Sequence, residues 1–401
     1  MISASCCRAA AIATLLAAAA ATAFLTFSLP SSPSVSTTKY TEELSIASST
    51  PPPHPTLATV SPPPAPAKPA TSTARPRKRE PSYWRMAPEE ALRYAKKEIM
   101  AAEPVVADPD LYAPLFKNVS QFKRSYQLME RILKVYIYQD GRRPIFHTPP
   151  LSGIYASEGW FMKLLKESRR FVVADAAKAH LFYLPYSSQH LRLSLYVPDS
   201  HNLRPLAVYL RDFVRASPPS TFWNRTRGAD HFLVACHDWL GGIFTPGKDV
   251  SLPETTIRTP KRPLRYVGGL PVSRRRILAF FAGNVHGRVR PVLLQHWGKG
   301  QDDDMRVYAL LPGRVNSPRI VEALYYECVP VIIADNFVLP FSDVLDWSAF
   351  SVVVAEKDIP ELKRILQGIS LRRYVAMHDC VKRLQRHFLW HDRPLGMIYS
   401  T

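Results

Sequence analysis

The chain has 401 residues and carries 52 Lys and Arg against 33 Asp and Glu, a net charge of +19. That balance favours anionic partners: nucleic acid, acidic polysaccharide or nucleotide sugars. Its 5 cysteines exclude a disulfide framework, since only Cys236, Cys328 and Cys380 lie in the body, and no CxxC metal pattern occurs.

Residues 1–8 are a short tail, with Cys6 and Cys7 open to palmitoylation. Residues 9–29, AAAIATLLAAAAATAFLTFSL, form an uncharged run of about 20 residues, long enough to span a bilayer. Arg8 on its N-terminal side orients it as a signal anchor with the body in the lumen. A cleaved signal peptide ending near Ala21 or Ala23 is the rival, and a plastid transit peptide a further one. An anchor argues against nucleic acid as a partner. Residues 30–114 read as a stem, beginning with a Pro-, Ser- and Thr-rich stretch that cannot bury enough apolar surface to fold. Within the stem, APEEALRYAKKEIMAA reads as a helix of mixed charge. Two sequons, at Asn118 and Asn224, suit a secreted or lumenal body.

From Lys134 onward strand and helix signals alternate. KVYIY is a strand, and Ser157-Glu158 opens a helix through WFMKLLKES. RFVVADAAKAHLFYLPY holds two short apolar runs, LRPLAVYLRDFVRAS an amphipathic helix, and DHFLVACHDW a strand ending in polar residues. After a poorly structured region come the strand ILAFFAG and the helix VRPVLLQHW, then a helix from Pro318 to about Cys328 and the strand VPVIIAD. FSVVVAE, DIPELKRILQGI and LRRYVAMHDCVKRLQRHFLW complete a strand and two helices. The alternation predicts an α/β fold with parallel sheets, whose ligands bind at the carboxyl ends of strands.

Several polar clusters fall near such ends. His237-Asp238-Trp239 ends one strand; His beside Asp suits a general base or a purely structural strand end. In FFAGNVHGRVR, Gly283 permits a tight turn, and Asn284, His286, Arg288 and Arg290 bring donors to the next helix, as an anion cradle or a solvated loop. In VNSPRIVE, Asn316 precedes Ser317, which can cap, and Pro318 suits the first helical position. Arg319 and Glu322 then share one face. An arginine at a positive helix end makes an anion site, with the glutamate accepting from hydroxyls. The alternative is an intrahelical salt bridge on a solvated face. Asp302 to Asp304 read as a solvated acidic loop or a divalent-ion site.

NSPRIVEALYYECVPVIIADNFVLPFSDVLDW resembles the signature segment of the exostosin-like plant glycosyltransferases, glycosyltransferase family 47. KVYIY, YASEGWF, AHLFYLPYS, ADHFLVACHDW, IFTPGKDVSLPE and ILAFFAGN extend the resemblance over about Leu115 to Trp390. It implies a GT-B-like architecture of two Rossmann-like lobes: residues 115–240 for the acceptor, 241–273 as connection, and 274–390 for the nucleotide sugar. It implies a Golgi type II membrane enzyme that inverts the anomeric centre. The donor is a UDP-linked sugar and the acceptor a cell-wall polysaccharide or glycan, with no cofactor and no metal. Arg319 would meet the diphosphate and Glu322 the ribose, with Asn316, Ser317, Gly283, Asn284 and Arg290 around them. The base would be His237 or Asp238, with Glu158 in reserve. Partners would include other glycosyltransferases in a hetero-complex.

The sequence departs from the family's pattern at three points. Trp239 passes almost directly to LGGIFTPG, YALLPGR runs straight into VNSPR, and residues 391–401 form an atypical tail. The second departure omits a strand of the donor lobe. A second expectation follows: an impaired relative that scaffolds other transferases or binds acidic polysaccharide.

Overall fold

A computed structural model describes residues 82–105, 108, 111–139, 141–198, 200, 202–216, 220–236, 252–255, 265, 267–282, 288–298, 302, 304–308, 318–335 and 337–391. The tail, the apolar run, the Pro-rich stretch and the residues from 392 on lie outside them. No helix of the described residues is long and apolar enough to cross a membrane.

The first helix, α1 (Pro88–Met100), opens with proline at its start and Glu89 and Glu90 in its first turn. Both features suit the positive end of a helix. Ala91, Ala95 and Ile99 recur every four residues and are buried. They pack with α2 (Val119–Ile132), whose Phe122, Tyr126 and Met129 are buried in the same core. Arg124 of α2 reaches Glu98 of α1 at 2.7 Å. The mixed-charge helix read as part of the stem therefore belongs to the folded unit. Its small buried face lets the two backbones approach, while its charges line the other side.

Three parallel strands follow in the order β1 (Val135–Ile137), β2 (Leu181–Tyr183), β3 (His231–Phe232). The register sets Tyr136 opposite Phe182 and Phe182 opposite His231. Of RFVVADAAK only Val172 makes a β-bridge, to Val135, so one of the two expected runs adds no full strand. Helix α3 (Ala156–Glu167) lies between β1 and β2 in the chain, and nine of its residues are buried. Between β2 and β3 come α4 (Ser188–Leu195), α5 (Arg204–Ala216) and α6 (Ser220–Thr226). Ser187 caps α4 by accepting from the His190 N–H.

The C-terminal strands pair in parallel as two separate two-stranded sheets among the described residues. One joins β4 (Ala279–Ala282) to β5 (Met305–Tyr308), and the other β6 (Val331–Ile333) to β7 (Val352–Val354). One hydrophobic cluster serves both: Val289 and Leu293 of α7 (Val289–Trp297), Met305, Ile333, Val354, and Leu362 and Leu366 of α9 (Leu362–Gln367). The last long helix, α10 (Leu371–Leu384), is capped by Ser370.

Between β5 and β6 lies α8 (Pro318–Tyr325), which ends before the expected Cys328. Glu327 adopts φ 57°. The Cys328 N–H donates to Ala323 O at 2.8 Å and the Glu327 N–H to Leu324 O at 3.1 Å. This is the Schellman arrangement, with a non-glycine in the left-handed position. Pro330 disfavours helical backbone at Val329, so the chain must leave the helix to reach β6.

Candidate functional site

The first turn of α3 is where distant segments meet. Glu158 is 1% exposed, and its carboxylate accepts from three neutral donors. The Ser188 N–H reaches Oε2 at 2.9 Å and the Ser188 hydroxyl reaches Oε1 at 2.6 Å. The Cys236 N–H reaches Oε1 at 3.0 Å. Burial raises the Glu158 pKa above its ordinary value, against the lowering effect of these bonds. The Tyr186 hydroxyl stands 3.3 Å from Ser188 Oγ. Burial, with the nearby Glu158 charge, pushes the Tyr186 and Cys236 groups up as well.

On either side of Glu158 the turn is equally engaged. The Ser157 hydroxyl donates to Pro253 O at 2.9 Å and accepts from Trp390 Nε1 at 3.2 Å. A Cβ on Gly159 would stand 2.1 Å from Pro150 O, so only glycine permits this approach. Ser188 and Cys236 follow β2 and β3 closely in the chain, on the carboxyl side of parallel strands. The reserve base thus has both oxygens occupied in the interior.

The other sequence-selected residues fall in different places. Arg319 and Glu322 of α8 pair with each other, the arginine side chain 42% exposed. Arg290 is buried in the first turn of α7. Arg288 is exposed and holds Glu356 at 2.7 Å. Lys363 pairs with Asp302 at 2.5 Å and with Asp304 at 3.5 Å, and Asp303 lies outside the described residues. Among the described residues no group of three or more His, Cys, Asp and Glu is placed to hold a metal ion. Asn118 is exposed, and its side chain caps α2 by accepting from the Gln121 N–H at 3.0 Å. Asn224 is exposed on α6. His237, Asp238, Gly283, Asn284, His286, Asn316 and Ser317 lie outside the described residues.

A second buried polar array was not singled out from the sequence. Asp230 accepts from Arg225 Nη2 at 2.8 Å, from the Thr226 hydroxyl at 2.5 Å and from His231 Nδ1 at 2.7 Å. Because a carboxylate only accepts, Nδ1 carries a proton, and Nε2 lies 2.9 Å from the Tyr138 hydroxyl. The imidazole stacks on Phe182 at a centroid distance of 4.7 Å. Burial works to raise the Asp230 pKa, but the bonds from His231, Thr226 and Arg225 outweigh it and hold the carboxyl below its usual range. Nearby, burial pushes His180 down to about 4. Its Nδ1 accepts from the Lys134 N–H at 3.0 Å. The adjacency of Asp230 and His231 was visible in the sequence. No periodicity showed that Tyr138 would complete the line.

Parallel strands alternating with helices, with polar side chains gathered beyond strand ends, fit a glycosyltransferase of mixed α/β fold. The chain belongs to the exostosin GT47 family: residues 129–245 and 307–369 match the Exostosin GT47 domain. It is 41% identical to a protein named "Probable glycosyltransferase" from Arabidopsis thaliana, over 74% of this chain and 66% of that one. It is 39% identical to another of that name from the same plant, over 70% of this chain and 68% of the relative. A "Probable glucuronoxylan glucuronosyltransferase" of Arabidopsis thaliana is 29% identical over 51% of this chain and 56% of its own length.

Proposed function

We propose that the protein transfers a sugar from a UDP-linked donor to a cell-wall polysaccharide, with inversion, as a Golgi type II membrane enzyme. The observation that carries this reading is identity to two probable glycosyltransferases over most of the chain. The glucuronosyltransferase relative favours an acidic sugar or a xylan-type acceptor, and the net charge of +19 suits both anionic donor and acidic product. Residues 9–29 act as the anchor, and the sequons at Asn118 and Asn224 receive glycans in the lumen. Two Rossmann-like lobes in a GT-B arrangement divide the work, residues 115–240 binding the acceptor and 274–390 the donor.

In this reading His237 or Asp238 takes the proton of the acceptor hydroxyl as its oxygen attacks the anomeric carbon. The bond to the nucleotide diphosphate breaks on the opposite face. Arg319, released from Glu322, meets the diphosphate, and the N-terminal end of α8 helps carry the departing negative charge. Glu322 then accepts from the ribose hydroxyls. Asn316, Ser317, Gly283, Asn284 and Arg290 complete the donor side, and no metal is required. Calorimetric titration of UDP into the purified chain tests this, with Arg319→Ala as control. Binding lost in the variant supports the donor site; a folded wild-type chain without UDP affinity overturns it.

A second reading has its own support. Among the described residues the C-terminal strands pair as two two-stranded sheets, and the resemblance implies a further strand before VNSPR that this sequence lacks. A chain so abbreviated would act as a scaffold for other transferases or as a polysaccharide-binding protein. It would bind glucuronoxylan without consuming UDP-sugar, and the affinity would fall steeply with salt.

A further inference from the structure

We infer that Glu158 is a positioning residue, a buried staple that ties the segments following β2 and β3 into one acceptor-side wall. This rests on the acceptor-lobe reading above, but replaces the role of reserve base for Glu158. The geometry is specific. One carboxylate binds the N–H and hydroxyl of Ser188 and the N–H of Cys236, which are 30 and 78 residues away in sequence. Cys236 is the residue before His237. A group that holds the Cys236 amide therefore fixes the chain at the residue that leads into His237.

The neighbours of Glu158 leave the carboxylate little freedom. Ser157 is held by Pro253 and Trp390, and Gly159 lies against the backbone of Pro150. Five chain segments thus converge on one helical turn. Glu158 itself is 1% exposed, so substrate cannot reach its oxygens without breaking this junction. A carboxylate is the side chain suited to the task, because both oxygens accept and neither donates. Glutamine has one acceptor oxygen and an NH2 group, which would face one of the two backbone N–H groups.

The test uses the full-length chain and two independent readouts. In Glu158→Gln, hydrogen exchange is followed at the Ser188 and Cys236 amides, with labelling of the Cys236 and Cys380 thiols. At least one of the two amides should exchange about tenfold faster, the effect of one lost hydrogen bond to a charged group. Cys380, also buried, should stay protected as the internal measure of the intact fold. Both amides unchanged would overturn the inference. If Cys380 also becomes reactive, Ser188→Ala decides, since it removes one hydroxyl from the carboxylate, with its 3.3 Å contact to Tyr186, and leaves both backbone N–H donors in place. Faster exchange at Cys236 supports the staple, and no change refutes it.

The second readout is transfer from UDP-glucuronic acid and UDP-xylose to xylan oligosaccharides. Glu158→Gln should lower kcat about tenfold while UDP affinity holds, and the acid limb of the pH profile should persist. Loss of that limb would make Glu158 the base and overturn the positioning role. If the wild-type chain transfers no sugar, the function proposed above fails, while the exchange readout still decides the staple.

Discussion

Helices α3 and α8 each carry a glutamate near their N-terminal end, and the two are used in opposite ways. Glu158 is interior, bound by backbone and hydroxyl donors from two other segments. Glu322 lies near the surface and is bound by Arg319 of its own helix. The difference is one of exchangeability. A surface ion pair is worth little, because water replaces either partner at small cost. A buried carboxylate that loses its donors, or buried donors that lose their carboxylate, leave polar groups with no water to replace them. The first turn of α3 is therefore suited to holding a shape, whereas the Arg319–Glu322 pair of α8 contributes little to it.

The largest effect that would break this contrast is at Glu158. Glu158→Ala should destabilise the fold by about 3 kcal/mol or more, since two buried N–H groups lose their acceptor. Chemical denaturation measures it, and a loss near zero would show that the junction is not held from this side chain. Its titration has a definite sign. The folded pKa is raised by burial, so the charged form is disfavoured in the folded state, and stability falls as pH rises above the ordinary value of 4.5.

Asp230 offers the opposite sign within the same half of the molecule. Its folded pKa is lowered, so its contribution is complete above the ordinary value of 3.8 and is lost as pH falls below it. Asp230→Asn should cost about 2 kcal/mol at neutral pH, because bonds to a charged acceptor are weakened. It should also flatten this part of the acid limb in pH-dependent unfolding. A variant with unchanged acid sensitivity would show that Arg225 and His231 are satisfied without the charge.

A third substitution sharpens the comparison at the far end of α8. Glu327 occupies a left-handed position that disfavours side chains. Glu327→Gly should raise stability by about 1 kcal/mol, read as a higher unfolding midpoint. The smallest stability effect belongs to Arg319→Ala, at most about 0.5 kcal/mol for an exposed helix pair. The same variant should lower UDP affinity at least about tenfold, a charge-assisted contact being lost. A stability loss as large as that at Glu158 would place Arg319 in the architecture and remove the contrast.

Much of the fold was legible before the structure. The apolar runs at KVYIY, HLFYLPY, ILAFFAG, VPVIIAD and FSVVVAE each yield a strand, and the pairings of β1 to β7 are all parallel among the described residues. The reading failed where burial hangs on a narrow face. In α1 the buried residues are two alanines and one isoleucine among charged neighbours, so the helix resembled a solvated one. It failed again at the end of α8, where Tyr326 and Glu327 are tolerated in helices and a turn toward β6 takes precedence.

The sequence by itself determined the order of elements, because hydrophobic periodicity and helix-capping residues act over one or two turns. It also determined the family, through long ordered motifs. The tertiary structure alone decided which groups share a site. The bonds of Glu158 to Ser188 and Cys236, and of His231 to Tyr138, cross 30, 78 and 93 residues. Contacts of that length have no sequence period. They exist only because parallel strands, each returning through a helix, bring their carboxyl ends side by side.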